Sequence, residues 1–210
     1  ASTSLTLKQK NTCILCRKEL VEDGTKESVD WLLEWVKKGK AWGMEMLASM
    51  YAAGVGVNQS DAKAIELYEM AAKKGHANAI CKLGVFYEYG RHGLEQSNQK
   101  SFELYTLAAN QGHLAAQCNL AIRYANGTDV QQDLKRAVEL YTLAAEKGHA
   151  RAQNRLGCAY WDGEGVEIST SKAKKWWNKA AFQGHENAIE NLVMMDQPMD
   201  QRQLDSTRSC

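Results

Sequence analysis

The sequence repeats itself about every 36 residues, and this period constrains the fold more than any other feature. A Gly-His dipeptide recurs four times at intervals of 37, 36 and 36 residues. The four copies are Gly75-His76, Gly112-His113, Gly148-His149 and Gly184-His185. Each copy follows an Ala-Ala pair by two residues. One leucine and one tyrosine of each unit recur at the same interval of about 36 residues. A period of roughly 20–50 residues is typical of repeat proteins, in which each unit is one supersecondary structure.

Each unit has the pattern of two helices separated by glycine. Ala79, Leu83 and Tyr87 are spaced so that they share one helical stripe. Glycines interrupt that stripe, and the second helix then starts at a side chain that can accept a backbone N–H. These predicted N-caps are Ser60, Ser97, Asp133 and Ser169. The second helix is expected to stop at the glycine of the Gly-His pair, because glycine adopts the left-handed conformation without steric cost.

One such helix pair cannot bury both of its faces, so the units must stack on one another. The sequence therefore predicts an all-α fold, a right-handed α-solenoid of about four helix pairs with a capping helix at each end. We expect the first helix to begin at Ser28 and the last to cover residues 186–195. The aromatic side chains of the second helices are expected to be core, and they are Tyr68, Tyr105, Tyr141 and the Trp176-Trp177 pair.

The repeated pattern AxxxLGxxYxxGxGV resembles the Sel-one-like repeat (SLR) family, a relative of the tetratricopeptide repeats. A clear match is the run that contains Leu156, Gly157, Tyr160, Gly163 and Gly165. The resemblance covers about residues 28–195, and it leaves a tail at 1–27 and a flexible C-terminal tail at 196–210. It implies a non-catalytic scaffold or adaptor that binds partner proteins or peptides.

Composition and charge narrow the functional classes. The chain has 26 Lys and Arg residues against 25 Asp and Glu residues, so its net charge of +1 provides no long-range attraction for nucleic acid. No apolar run approaches the roughly 20 residues that a membrane span needs. Residues 1–12 lack the apolar stretch of a signal peptide, and the six cysteines are irregularly spaced. We therefore expect a cytoplasmic protein that binds neither nucleic acid nor membrane, and a secreted hydrolase or effector is disfavoured.

Cys13 and Cys16 are separated by two residues, which is the spacing of a zinc-ligand pair. The segment 12–20 resembles the last ligand pair of a RING-type zinc finger, although Ile14 stands where proline is usual. One pair supplies half of a tetrahedral site, so zinc would bind only in a longer parent chain that provides the other ligands. A tail with incidental cysteines and a thiol-redox pair are the alternatives. We expect no other cofactor.

The zinc-finger resemblance leads to a second functional hypothesis. The repeats would then recruit the substrate of a RING-type ubiquitin ligase truncated at its N-terminus, and the finger would position a ubiquitin-conjugating enzyme. The repeats themselves carry no convincing catalytic group. Their histidines recur once per unit, too far apart to share a metal, and Cys81 and Cys118 lack a neighbouring base.

The candidate partner-binding surface is the side of the first helices opposite the buried stripe. Two positions point away from that stripe, namely the residue before the leucine and the residue two after it. In solenoids of this type the first helices line the concave surface, so these positions would form a groove for an extended peptide. Ordinary solvated positions are the alternative. The candidate binding residues are Lys82, Val85, Asn119, Ile122, Arg155, Cys158, Asn191 and Met194.

Overall fold

A computed structural model describes residues 25–196, and within this range the chain forms ten α-helices and no β-strand. The helices are α1 (Lys26–Lys37), α2 (Ala41–Ala53), α3 (Asp61–Lys73), α4 (Ala77–Tyr89), α5 (Asn98–Asn110), α6 (Leu114–Asn126), α7 (Leu134–Glu146), α8 (Ala150–Asp162), α9 (Thr170–Phe182) and α10 (Glu186–Met195). The all-α prediction is confirmed. None of these helices is both long and apolar enough to span a membrane.

The described part of the chain divides into two compact units, with the division between Ser101 and Phe102, inside α5. In the first unit α2 packs against both α1 and α3, and α3 also packs against α4. In the second unit each helix from α6 to α10 packs against the next one in the chain. Within each of these two runs, helices that are adjacent in sequence are therefore adjacent in space, as expected for stacked helix pairs.

The four predicted N-caps of the second helices are confirmed. In each case the side-chain oxygen of the cap accepts the backbone N–H of the residue three positions later, at distances of 2.9 to 3.4 Å. The donor and acceptor pairs are Lys63 and Ser60, Lys100 and Ser97, Arg136 and Asp133, and Lys172 and Ser169. These bonds satisfy backbone donors that have no partner inside the helix.

The histidine of the Gly-His pair starts the helix that follows it. Its Nδ1 atom accepts the backbone N–H three residues later, at 3.4 Å for His76, 3.2 Å for His113 and 3.2 Å for His149. His185 precedes α10 without such a bond. The glycine before each histidine has a positive φ, between 77° and 90°, which ends the preceding helix. The glycine thus ends the second helix of one repeat unit, and the histidine caps the first helix of the following unit.

The cores of the two units are built from the predicted aromatic and small side chains. Tyr68 is fully buried in the first unit, and Tyr105, Tyr141 and Trp177 are buried in the second unit. Trp176 differs from the prediction, because it is only half-buried and Lys179 Nζ lies 4.3 Å from its ring centroid. The second aromatic of this pair therefore belongs to the core and the first to its margin.

Helix α1, the N-terminal helix of the described range, begins two residues earlier than predicted. Thr25 is its N-cap, since the Thr25 hydroxyl accepts the Ser28 N–H at 3.3 Å. Ser28 itself is buried within the first turn, and its hydroxyl donates to the Thr25 carbonyl at 2.6 Å. The last helix covers the residues that the sequence predicted, Glu186–Met195.

Candidate functional site

In the first unit the two candidate binding residues lie on α4. Lys82 is exposed and Val85 is half-buried. Lys82 has an acidic neighbour, Glu45 of α2. Burial raises the pKa of the Glu45 carboxyl group, and the charge of Lys82 and a hydrogen bond from Asn78 act against this rise. Asn78 Nδ2 also donates to Glu45 Oε1 at 2.7 Å. The positive charge of Lys82 is therefore partly balanced within this unit.

In the second unit four candidate binding residues remain partly accessible. Asn119 and Ile122 lie one helical turn apart on α6, Arg155 lies on α8, and Met194 lies on α10. All four are half-buried. A half-buried side chain keeps one side against the protein, which limits its motion, and leaves the other side for contact with a partner.

Cys158 and Asn191 are not exposed, and the expectation that both face a partner is wrong. Their exposed fractions are 4% and 8%. Asn191 Nδ2 donates to Asn154 Oδ1 at 3.1 Å and lies 3.6 Å from Cys158 Sγ. These side chains satisfy one another between α8 and α10, because a buried amide needs a hydrogen-bonding partner.

Arg151 belongs to the same surface, although the sequence analysis missed it. It is exposed on α8, and its Nη1 donates to Asn119 Oδ1 on α6 at 3.2 Å. Arg151 stands four residues before Arg155, and residues at that spacing are neighbours on a helix face. The spacing from Arg155 is the signal that would have identified it.

Two buried groups that feel the charge of Arg151 and Arg155 are uncharged at neutral pH. Burial raises the pKa of the Cys118 thiol to about 11, and Arg151 and Arg155 oppose that rise. Burial likewise raises the pKa of the Tyr141 hydroxyl. Neither group becomes an anion near neutral pH, so neither neutralises the arginines.

The histidine caps beside this surface are also neutral. Burial lowers the pKa of His149, and Arg151 lowers it further. The pKa of His185 is lowered for the same two reasons, with Arg155 contributing as well. A neutral imidazole matches the role of His149 as a helix cap, since its Nδ1 must accept a hydrogen bond.

Nothing in the described range resembles the predicted metal pair. Cys13 and Cys16 lie outside residues 25–196, so the zinc-finger interpretation stays a prediction. Between residues 25 and 196 no group of three His, Cys, Asp or Glu side chains is placed to hold a metal ion. Cys81, Cys118 and Cys158 are buried thiols that form no disulfide within this range.

Comparison with known proteins identifies the repeat. The family model described as the Sel1 repeat matches residues 43–76, 77–113, 114–149 and 150–185. No curated protein matches the chain. The fold is similar to the crystal structure of a protective antigen of uropathogenic Escherichia coli strains that displays an SLR fold, with 30% identity and a TM-score of 0.74. That match covers 80% of this chain but only 36% of the antigen.

A second solved structure, a Sel1 repeat protein from Oxalobacter formigenes, is also similar. It shares 27% identity with a TM-score of 0.78, and the match covers 90% of this chain and 80% of that protein. In both comparisons most of this chain aligns with helical repeats of one family. The four matched segments also coincide with the four helix pairs, because each segment holds one first helix and one second helix.

Proposed function

Because this chain belongs to the Sel1 repeat family, whose members are generally protein-interaction scaffolds, we propose that it is a non-catalytic adaptor. Its partner would be a protein or an extended peptide, and it would bind to the exposed side of the first helices. We further propose that the adaptor acts in the cytoplasm and needs no cofactor. The adaptor proposal rests on the repeat family and on the side chains that the first helices present, and the cytoplasmic location rests on the irregular spacing of the six cysteines.

The observation that supports the proposal best is the set of accessible side chains on α6 and α8. Asn119, Ile122, Arg151 and Arg155 define what we term the α6–α8 surface. Folding does not require an isoleucine or arginines at positions that stay partly in solvent. The bond between Arg151 and Asn119 holds two of these side chains in place before any partner arrives. A surface ordered in this way loses less conformational entropy on binding.

Site-specific photo-crosslinking tests the adaptor proposal. A photoreactive benzophenone amino acid replaces Ile122 on α6, and after irradiation in cells the crosslinked proteins are identified by mass spectrometry. The matched control places the same amino acid at Leu143 on α7, an apolar side chain that is 48% exposed. We expect a discrete crosslinked protein from Ile122 and not from Leu143.

Two results would contradict the proposal. One is identical crosslinking from the two positions, which indicates nonspecific collision. The other is a discrete product from Leu143 alone, which places the partner on the second helices. Circular dichroism of both variants confirms that each remains helical.

A further inference from the structure

Arg151 gives the α6–α8 surface a positive charge that no carboxylate of α6 or α8 neutralises. Residues 114–126 of α6 include no Asp or Glu, and the only acidic residue of α8 is Asp162, at its last position. Arg151 forms no ion pair with a carboxylate anywhere in residues 25–196, and its contact is the amide of Asn119. Lys82 in the first unit differs, because Glu45 lies beside it.

The titratable groups that interact with Arg151 do not supply a negative charge either. Cys118, Tyr141 and His149 are neutral at neutral pH for the reasons given above. Glu186 lies near His185, yet Arg151 and Arg155 each influence His185 more strongly than Glu186 does. Arg151 therefore keeps its positive charge without a carboxylate partner in the described part of the chain, whose full sequence has a net charge of only +1.

The positive charge is placed beside an apolar side chain. Arg151 reaches from α8 to α6, where Asn119 fixes its guanidinium group. Ile122 follows Asn119 by one helical turn on α6, and Arg155 follows Arg151 by one turn on α8. The surface thus offers two guanidinium groups together with a half-buried aliphatic side chain on the neighbouring helix.

We propose that the α6–α8 surface binds an acidic peptide segment of a partner protein, with a peptide carboxylate on Arg151 and Arg155 and an adjacent apolar side chain on Ile122. This inference rests on the proposed adaptor function and names the chemistry of its partner. Arginine suits the role because its planar fork of N–H donors pairs with the two oxygens of a carboxylate. A desolvated apolar contact adds affinity that does not depend on salt.

Binding to defined peptides tests the inference. The probe is an array of fluorescent 12-residue peptides in which one Glu and one Leu are placed at every spacing from one to four, in a background of Gly and Ser. Parallel arrays replace Glu by Gln, by Lys and by phosphoserine. We expect the purified chain to bind a subset of the Glu peptides, and the matching Gln and Lys peptides to bind at least about tenfold more weakly.

Variants of the protein locate the binding. The double variant Arg151→Gln, Arg155→Gln should weaken binding of the selected Glu peptides by about tenfold or more. The variant Ile122→Ser should remove the part of the affinity that depends on the Leu of these peptides. The matched control removes two positive charges elsewhere, with Lys135→Gln on α7 and Lys175→Gln on α9, both of them exposed. The control should bind as the wild type does, apart from a small change shared by all peptides.

Each outcome decides the inference separately from the adaptor proposal. Equal binding of Glu, Gln and Lys peptides, equal losses in both double variants, or binding of the phosphoserine array alone would overturn the carboxylate assignment. An array without any peptide that depends on Arg151 and Arg155 would also overturn it. In all these cases a specific crosslink from Ile122 would leave the adaptor proposal standing, whereas its absence would remove both.

Discussion

At the scale of single residues, Gly157 allows α8 and α9 to approach each other closely. A Cβ atom at this position would lie 2.5 Å from both Cδ1 and Nε1 of Trp177, whose side chain is 2% exposed. In the preceding helix pair, Ala121 and Tyr141 stand at the equivalent positions. Of these two helix pairs, the one with the larger aromatic residue therefore has the smaller partner, which keeps the packing between its first and second helix dense.

Gly157→Ala should destabilise the protein even though alanine favours helix. The propensity gain is at most about 1 kcal/mol, whereas overpacking a buried contact costs about 1–3 kcal/mol. We expect a net loss in the free energy of unfolding, measured by urea denaturation. In a Trp177→Tyr background the same change should cost nothing, because it recreates the combination of Ala121 and Tyr141. A stabilising effect of Gly157→Ala in the wild type would contradict this packing.

The buried thiols give a second prediction at this scale. Burial raises the pKa of Cys81 and of Cys118 from 9.0 to about 11, and the thiolate is the reactive form. At pH 8 both should react with iodoacetamide at least about 100-fold more slowly in the native protein than in urea. The reason is that a pKa two units higher lowers the thiolate fraction by about 100-fold. Mass spectrometry of the separate peptides measures each rate. Native rates equal to those in urea would show that these cysteines are accessible.

At the scale of helices, the Gly-His turn couples helix capping to protonation. The Nδ1 atoms of His76 and His149 accept backbone N–H groups, which only the unprotonated nitrogen can do. Burial lowers the pKa of both side chains. The caps are thus retained at neutral pH and are lost when the imidazoles become charged.

Stability should therefore fall as the pH falls. Because the folded pKa lies below the ordinary value of about 6.5, the unfolded chain takes up protons first. The stabilisation is complete above about pH 6.5 and is lost as the pH drops through the lowered pKa of the folded state. Urea midpoints at pH 7.5 and pH 5.5 measure the loss. His149→Asn supplies a cap that does not titrate, so its midpoint should depend less on pH. An equal pH dependence in this variant would contradict a role for the His149 cap.

At the scale of the whole molecule, the sequence predicted the helix pairs and their limits because these features are local. The 36-residue step, the caps at Ser60 and Asp133 and the stop at Gly148 each depend on a few neighbouring residues. The candidate surface was predicted less well, since the exposure of a first-helix residue also depends on the side chains of a neighbouring first helix. Asn191 illustrates this, because it is buried through its bond to Asn154, 37 residues earlier in the chain.

Arg151 shows the same limitation in the opposite direction. Its spacing from Arg155 places it on the correct face of α8, but no local pattern predicts its hydrogen bond to Asn119, 32 residues earlier. The period of the repeat predicts which helix faces are equivalent, but the chemistry of each face varies from unit to unit. We therefore expect the residues that depart from the repeat to determine which partner this chain binds.

The affinity for the partner found by crosslinking tests the central claim most directly, namely that the first helices form the binding surface. The double variant Asn119→Glu, Arg155→Glu alters that surface. The matched control, Asn110→Glu with Arg136→Glu, makes the same substitutions at exposed positions of α5 and α7. Calorimetric titration should show at least about a tenfold loss of affinity for the first variant and none for the control, with both remaining folded. Equal affinities for the two variants would contradict the account.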